Sequence, residues 1–396
     1  MHKLQYQYLW VNKYLMCIIG QWPYQTALER LLVSIVFVPT VTAQAVLQGG
    51  GMITALQNND IDASMEDFAP FIISCMCLIK LANYTYNHEQ MKNLMNVMEE
   101  DWAMYSKSEY ELELLCQTYA AGKKVTINYA TSLYGSMTPF MVVPVLLEAA
   151  DNLGFYNNSG GRRLMFRLEH FVNVEKYHYP LLIHSYLGTL GFITIVVAID
   201  SMMVQYVQHE CGVCQILGRR LESIVEEGSA DLIFRNDKKA EDKAYQNAKN
   251  CVIMHTRIIK FARHLEEANT MSYFFQLGFN MAGISFTGFQ AVMRMDNPNE
   301  SFRHASFAVC LLSVLLLESW PGQQLSDYTD RIFEYSTNGK WYYTSFNVRR
   351  LLNIMLLRSI IPIKLTAGKI YTLNLQNFSA VVRTSFSCFT VLCSLQ

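Results

Sequence analysis

One pair of cysteines and one cysteine–histidine pair are the residues of this sequence whose types and spacing could bind a metal ion. Cys211 and Cys214 stand three residues apart, and Cys251 and His255 stand four residues apart further along the chain. Thiolate and imidazole groups at such spacings can hold a tetrahedral zinc ion. Both pairs lie beside the ends of long apolar segments, where thiols more often pack against neighbouring helices. We therefore expect packed thiols here, and neither a metal site nor a cofactor.

Motifs for enzymatic chemistry are missing from the sequence. It contains no glycine-rich phosphate loop, no nucleophile elbow and no two-histidine zinc helix. Ten cysteines in 396 residues are too few for a disulfide scaffold. A net charge of −1 gives no basis for binding nucleic acid. We predict that the protein is not an enzyme.

Long runs without charged side chains predict membrane-spanning helices. Only 16% of the residues are charged, against about 25% in soluble proteins. About 20 apolar residues are enough to cross the hydrocarbon core of a bilayer. The predicted spans are 31–47, 68–86, 125–147, 177–199, 268–293, 304–317 and 370–396. Two of them hold a single charge, Lys80 in 68–86 and Arg383 in 370–396. The sequence thus predicts an all-α membrane protein with seven transmembrane helices in a lipid bilayer.

Basic residues are distributed unequally between the loops. If the N-terminus is cytosolic, the inside segments hold 24 Lys and Arg residues and the outside segments hold 6. The inside segments are then 1–30, 87–124, 210–267 and 327–369, and the outside segments are 48–67, 151–176 and 294–303. Positive charge favours the cytosolic side, which predicts a cytosolic N-terminus and an extracellular C-terminus. Candidate glycosylation sites at Asn157 and Asn299 would then lie outside, and the sequon at Asn83 would lie at the inner face.

The predicted cytosolic segments contain amphipathic helices. In 210–267, for example, apolar residues recur at helical spacing. We expect helices 4–7 to extend into the cytosol and to pack there as an anchor region. Pro362 and Gly368 should split the last span into a cytosolic helix and a membrane helix starting near Tyr371. The predicted organisation is a cytosolic N-terminal segment 1–26, transmembrane helices 1–6 with a ligand pocket 27–326, a cytosolic anchor region 327–369 and a last transmembrane helix 370–396.

Aromatic and methionine side chains crowd the outer halves of the predicted spans two to six. Methionine adapts to shape and aromatic rings supply area, which suits small and mostly apolar ligands. Pro139 and Pro144 can kink the third span and open space between helices. The candidate ligand-binding residues are Phe68, Phe71, Tyr134, Met137, Met141, His184, Leu187, Phe286, Phe302 and Phe307. The alternative for any one of them is a contact with lipid or with another helix.

The last span combines hydroxyl groups with an apolar stripe, which is unusual for a simple membrane anchor. One face, with Ser394 beside it, carries four residues at i, i+4, i+7 and i+11: Thr384, Cys388, Val391 and Leu395. Such a face can line a water-filled path, and its apolar side chains can close the path by excluding water. We predict a pore-lining helix with Val391 and Leu395 as the gate. A lipid-facing stripe is the alternative.

The C-terminal residues also resemble a known family. The string Lys364-Leu365-Thr366-Ala367-Gly368-Lys369 and the Ser- and Thr-rich span after it resemble the C-terminal signature of the insect odorant receptors. The resemblance covers the seven-span plan and is sequence-specific mainly over 341–393. It implies an odorant-tuning subunit rather than the shared co-receptor. It further implies a small volatile organic ligand, assembly with the odorant receptor co-receptor as a heterotetrameric non-selective cation channel, and a place in the plasma membrane of a sensory neuron dendrite.

Two alternatives stay open at the level of the sequence. A gustatory-type ligand-gated channel is the nearer one, although the Thr-Tyr…Gln-Phe ending of that family is not present here. The other is a seven-helix receptor that signals through a cytosolic partner, which the orientation of the termini would separate from a channel. The ending 393–396 also lacks the basic residues often found there in odorant receptors, which leaves the charge at the outer mouth of the pore open.

Overall fold

The computed structural model describes residues 3–152, 176–225, 238–339 and 341–394. These residues are almost entirely helical. The helices are α1 Lys3–Ile18, α2 Ala27–Gln57, α3 Ile61–Tyr86, α4 His88–Tyr105, α5 Glu109–Asn152, α6 His178–Glu222, α7 Lys238–Met293, α8 Pro298–Asn338, α9 Phe346–Ser359 and α10 Leu375–Ser394. A 3-10 turn at Trp341–Tyr343 precedes α9, and the two-residue strands β1 Thr366–Ala367 and β2 Tyr371–Thr372 separate α9 from α10.

Side-chain caps fix where the first long helices begin. Thr26 and Glu29 form a capping box at the start of α2, in which each side chain accepts a hydrogen bond from the other residue's backbone N–H. Asp60 caps α3 by accepting from the N–H of Ala63 at 3.0 Å. Only residues 58–60 separate the two helices, so α2 and α3 pack side by side.

Helix α6 is the centre of the bundle. It packs against α1, α2, α3, α5, α7 and α8, and nearly all its residues from Phe192 to Leu217 are buried. Glycines allow α2 to approach it closely. A Cβ at Gly191 would lie 2.7 Å from Val41 Cγ1, and a Cβ at Gly188 would lie 2.8 Å from Gln44 Cγ. A side chain at either position would push the two helices apart.

Each of the seven predicted spans overlaps a described helix, in order α2, α3, α5, α6, α7, α8 and α10. Among the described residues, three helices are long and apolar enough to cross a membrane by length and composition alone: α2, α6 and the part of α8 from Glu300 to Asn338. Helices α6, α7 and α8 all extend well beyond the predicted spans.

The last span is divided, as Pro362 and Gly368 predict, but the membrane helix begins later than expected. It starts at Leu375 and not near Tyr371, because Tyr371 and Thr372 form β2 and pair with β1. Gly368 takes φ of 62° in the hairpin turn, and its N–H donates to the carbonyl of Thr270 on α7 at 2.8 Å. The hairpin is thereby fastened to α7.

The N-terminal segment contains a helix that the sequence analysis did not predict. Helix α1 packs on α5 and α6, with Leu9 and Met16 buried. The Asn12 amide donates to Ser201 Oγ on α6 at 3.0 Å. The segment is therefore part of the folded bundle and not a free tail.

Candidate functional site

An apolar cavity of about 80 Å³ lies between α2, α3, α5, α6 and α8. Its wall is built mainly from aliphatic, aromatic and thioether side chains, among them Met76, Leu133, Met137, Phe192, Val196 and Phe307. Such a wall offers dispersion contacts to a small apolar molecule and few polar contacts. The cavity is the candidate binding site of the described part of the chain.

Two of the ten candidate ligand residues, Met137 and Phe307, line this cavity. Several others lie in the bundle but not on the cavity wall. The ring of Phe68 lies 4.5 Å from that of Phe286, centroid to centroid, and the Tyr134 hydroxyl shares a hydrogen bond with Thr194 Oγ1 at 2.9 Å. Phe71 packs against Gly49, where a Cβ would come within 2.9 Å of its ring.

The remaining four candidates lie away from the cavity wall. Leu187 and Phe302 are 55% and 62% exposed on the outside of the bundle. His184 and Met141 are half-buried, and the backbone carbonyl of Met141 accepts from the Tyr186 hydroxyl at 2.5 Å. The side chains of Pro139 and Pro144 lie outside the described set.

The sequence analysis did not name most of the cavity wall. Ile73, Met76 and Cys77 on α3 and Cys310, Leu311 and Val314 on α8 line it together. The α3 residues follow i, i+3, i+4 spacing, and the α8 residues stand at i+3, i+4 and i+7 from Phe307, so one face of each helix points into the cavity. That spacing was a usable signal, whereas enrichment in aromatic residues does not separate inward-facing side chains from those that face lipid.

A buried ion-pair cluster, formed by Lys80, Asp200 and Glu318, lies one helical turn beyond the cavity wall. Lys80 Nζ contacts Asp200 and lies 2.8 Å from Glu318 Oε1. The Tyr129 hydroxyl donates to Asp200 Oδ2 at 3.0 Å, and the Asn280 amide lies 3.4 Å from Glu318 Oε2. Lys80, Asp200 and Glu318 follow the wall residues Cys77, Val196 and Val314 by three or four positions. The cluster therefore forms a polar layer directly beside an apolar site.

Helix α10 presents two different faces. Val381 and Ser385 are buried against the bundle, with Ser385 Oγ 3.4 Å from the carbonyl of Met281 on α7. Exposed residues cover the rest of the helix: Thr384, Ser387, Cys388, Val391 and Ser394, together with Arg383, Phe386 and Thr390. Leu395, the fourth residue of the predicted pore face, lies outside the described residues. The described part of the predicted face thus points away from the chain's own helices, and Leu392 is half-buried.

The cysteine and histidine pairs lie in the packed interior of the elongated helices. Cys211, Cys214 and Cys251 all belong to the hydrophobic core. Burial raises the pKa of Cys251 to about 12, and burial together with the charge of Arg358 lowers the pKa of His255 to about 4. At neutral pH both side chains are therefore uncharged, as suits groups packed in the interior of the helices.

The three sequons differ in their surroundings. Asn157 lies outside the described residues. Asn299 is in the first turn of α8, where its side chain is also undescribed. Asn83 is half-buried, and its amide donates to the carbonyl of Ala268 on α7 at 3.0 Å.

A strongly apolar surface lies at α9 and the turn after it. Its members, called the anchor patch below, are all well exposed: Phe346, Ile354, Leu357, Ile360 and Ile361. Large apolar side chains grouped on one surface mark a contact with another protein or with a membrane more often than bare solvent.

Three comparisons with known proteins agree with this arrangement. The family model described as 7tm Odorant receptor matches residues 60–386. Odorant receptor 13a of Drosophila melanogaster is 25% identical over 357 residues, which cover 86% of this chain and 82% of that protein. Odorant receptor 10 of Aedes albopictus is 22% identical over 139 residues, covering 35% and 36% of the two chains.

Solved structures share the fold over nearly the whole chain. The olfactory receptor OR5 of Machilis hrabei in complex with eugenol superposes with a TM-score of 0.82 at 11% sequence identity and covers 98% of both chains. A second structure of the same receptor superposes with a TM-score of 0.78. The prediction of an all-α, seven-span membrane protein is confirmed. Because the family model matches well over half of the sequence, the chain belongs to the seven-transmembrane odorant receptor family of insects.

Proposed function

We propose that the chain is the odorant-binding subunit of a heteromeric, ligand-gated, non-selective cation channel in the plasma membrane of olfactory neurons. The apolar cavity between α2, α3, α5, α6 and α8 is the observation that carries this proposal. A small volatile organic molecule would fill the cavity against Met137 and Phe307. The similar receptor of Machilis hrabei has been solved with eugenol, which supports a small-molecule site within this fold.

The contacts of the helices around the cavity also favour a pore that is coupled to ligand binding. Helix α8 contributes part of the cavity wall, and both α7 and α8 pack against α10. A ligand that fits one spacing of these helices better than another shifts the population toward that spacing. Movement of α8 relative to α7 would then shift α10. The exposed face with Thr384, Cys388 and Val391 is proposed to line the pore, with Leu395 continuing it.

Assembly with the odorant receptor co-receptor as a heterotetramer completes the proposal. A single α10 cannot enclose a pore, so its exposed face needs partner helices. The anchor patch offers a second contact, on the side where α9 lies. We propose that this side is cytosolic, with the N-terminus inside and the C-terminus outside, which follows the excess of basic residues in the corresponding loops.

Whole-cell recording with and without the co-receptor across an odorant panel tests the channel function. The structure adds a matched pair of variants. Met137→Ala removes a cavity-wall side chain, and losing one packed apolar contact should weaken affinity by about 1–3 kcal/mol, or roughly 5- to 150-fold in half-maximal concentration. Met141→Ala changes the same residue type one turn further along α5, away from the wall.

The expected result is an odorant current that needs both subunits and that Met137→Ala shifts more than Met141→Ala. Surface labelling and the current evoked by a direct co-receptor agonist serve as controls for expression and assembly. If both variants respond as the wild type does to every active odorant, the binding site lies elsewhere. A response that persists without current, through a cytosolic second messenger, would support the alternative of a signalling receptor.

A further inference from the structure

We propose that Gln48 is a hydrogen-bonding contact in the cavity and selects odorants that carry one oxygen atom, as an alcohol or a carbonyl, on an otherwise apolar skeleton. The inference rests on the proposed function of the cavity and names the class of molecule that it takes. Gln48 lies on α2 and is only 3% exposed. Among the described residues that line the cavity, it is the one carboxamide.

The other polar groups of the wall are engaged by the protein. Thr189 Oγ1 donates to the Ser185 carbonyl at 2.8 Å, and Cys77 Sγ donates to the Phe192 carbonyl at 3.6 Å. Cys310 Sγ lies 3.0 Å from the Ser136 hydroxyl. The Thr189 hydrogen is thus used within α6, the Cys77 hydrogen is used between α3 and α6, and the Cys310 thiol is paired with Ser136 on α5. Among the described residues of the wall, Gln48 is the side chain that offers a ligand a hydrogen-bond donor not already used by the protein.

A neighbouring serine engages the carbonyl oxygen of the Gln48 amide and leaves its nitrogen available. Gln48 Oε1 accepts a hydrogen bond from the Ser74 hydroxyl on α3. Within the described part of the chain, Gln48 Nε2 makes no hydrogen bond. An amide donor that faces an apolar cavity without a partner is unfavourable. A ligand oxygen that accepts from Nε2 relieves this, whereas a hydrocarbon of the same shape leaves the donor unpaired.

Gln48 and Ser74 together can form a hydrogen bond with a ligand alcohol as well as with a ligand carbonyl. The Ser74 hydroxyl has one hydrogen and two acceptors within reach, Gln48 Oε1 and the Pro70 carbonyl at 2.9 Å. When the hydrogen points to Pro70, the Gln48 amide can turn over, donate to Ser74 Oγ and leave Oε1 free. The cavity then offers an acceptor to a ligand hydroxyl. The two amide orientations occupy nearly the same volume, so the apolar wall does not have to change.

The test compares odorants that share one carbon skeleton: a secondary alcohol, the corresponding ketone and a hydrocarbon with CH₂ in place of the oxygen-bearing carbon. Concentration–response curves are recorded in cells that also express the co-receptor. We expect wild type to prefer the two oxygenated molecules by about tenfold. Gln48→Leu should remove this preference by weakening the response to both, while the hydrocarbon response is kept or strengthened. If hydrocarbons do not activate wild type, Gln48→Leu should gain a response to them.

Gln44→Leu is the matched control. Gln44 lies one turn earlier on the same helix, is fully buried against Gly188 and does not line the cavity. It should keep the preference for oxygen. Surface labelling checks that each variant reaches the membrane, and Gln48→Met, unbranched and similar in length, replaces Gln48→Leu if the latter does not.

The outcomes separate this inference from the proposed function. One outcome is that Met137→Ala shifts the concentration–response curves of all three ligands while the Gln48 variant keeps the preference for oxygen. In that case the cavity is the binding site, and Gln48 does not select the ligand. If Gln44→Leu abolishes the preference as strongly as Gln48→Leu, the effect is one of helix packing and the inference is wrong. If Met137→Ala shifts none of the ligands, the cavity is not the binding site and both proposals fail.

Discussion

Val391 lies on α10 with 56% of its side chain exposed, on the side away from α7 and α8. If that face lines the pore, apolar side chains from neighbouring subunits exclude water when they approach closely. Val391→Ser should wet the constriction and raise the ligand-independent current in cells that express the co-receptor. Leu392, about 100° around the helix and half-buried, is the control. Leu392→Ser should reduce the amount at the surface and leave the resting current per channel unchanged.

Cysteine accessibility checks the same face directly. After Cys388 and Cys393 are replaced, Val391→Cys should react with a water-soluble thiol reagent and change the current. Leu392→Cys should not. Reaction at position 392 together with an inert position 391 would show that the wrong face was assigned.

The sequence indicated which residues share a face of α10 better than it indicated which residues line the cavity. Helical spacing placed Thr384, Cys388 and Val391 on one face, because the geometry of a helix fixes which residues share a side. Spacing alone could not show which side met the bundle. For the cavity, Met137 and Phe307 were found and Leu187 and Phe302 were not separated from them, since lipid and protein interior are both apolar and select similar side chains.

At the scale of helices, the ion-pair cluster joins α3, α6 and α8. Lys80→Met leaves the carboxylates of Asp200 and Glu318 buried without their cation, which should cost on the order of 3–5 kcal/mol. We expect a large loss of protein at the cell surface and a lower unfolding temperature in detergent. The triple change Lys80→Met, Asp200→Asn and Glu318→Gln should restore much of both, because no buried charge then lacks a partner.

A second ion pair between the same helices provides the control. Arg303 on α8 contacts Glu66 on α3, and both side chains are partly exposed. Arg303→Met should change stability by no more than about 1 kcal/mol. Equal losses for Lys80→Met and Arg303→Met would mean that burial of the cluster is not what matters.

The sequence indicated the elements better than their ends and contacts. Lys80 was visible as a single charge within an apolar span, which is a sign of a partner, but the identity of the partner depends on how three distant helices pack. The late start of α10 was missed because a hairpin held by Thr270 competes with helix formation at 371–372. The packing of α1 was missed because short amphipathic helices carry a weak signal.

At the scale of the whole molecule, the orientation is the property on which the channel proposal depends. Epitope tags at the two ends should give staining of unpermeabilised cells for the C-terminal tag only. Staining of an N-terminal tag would contradict both the orientation and the pore. Any glycan should be found at Asn157 or Asn299 by removal of each site in turn. Asn83 should never carry one, since its amide is already bonded to α7.

The overall plan was predictable because the thickness of a bilayer limits the length of each span and the loops carry the charge. Seven apolar runs therefore translate directly into seven helices. The position and size of the cavity were not predictable in this way, because they depend on small mismatches in packing among five helices.

The ion-pair cluster also sets an order of events during synthesis. Lys80 precedes Asp200 by 120 residues and Glu318 by 238 residues in the chain. At roughly 5–20 residues per second, α3 exists for about 6–24 s before Asp200 is made and for about twice as long before Glu318 is made. During that interval the lysine must reach toward the aqueous interface, because its buried partners do not yet exist. Helix α3 is therefore expected to settle at its final depth only after Asp200 on α6 has been synthesised, and the cluster is complete only after α8 has followed.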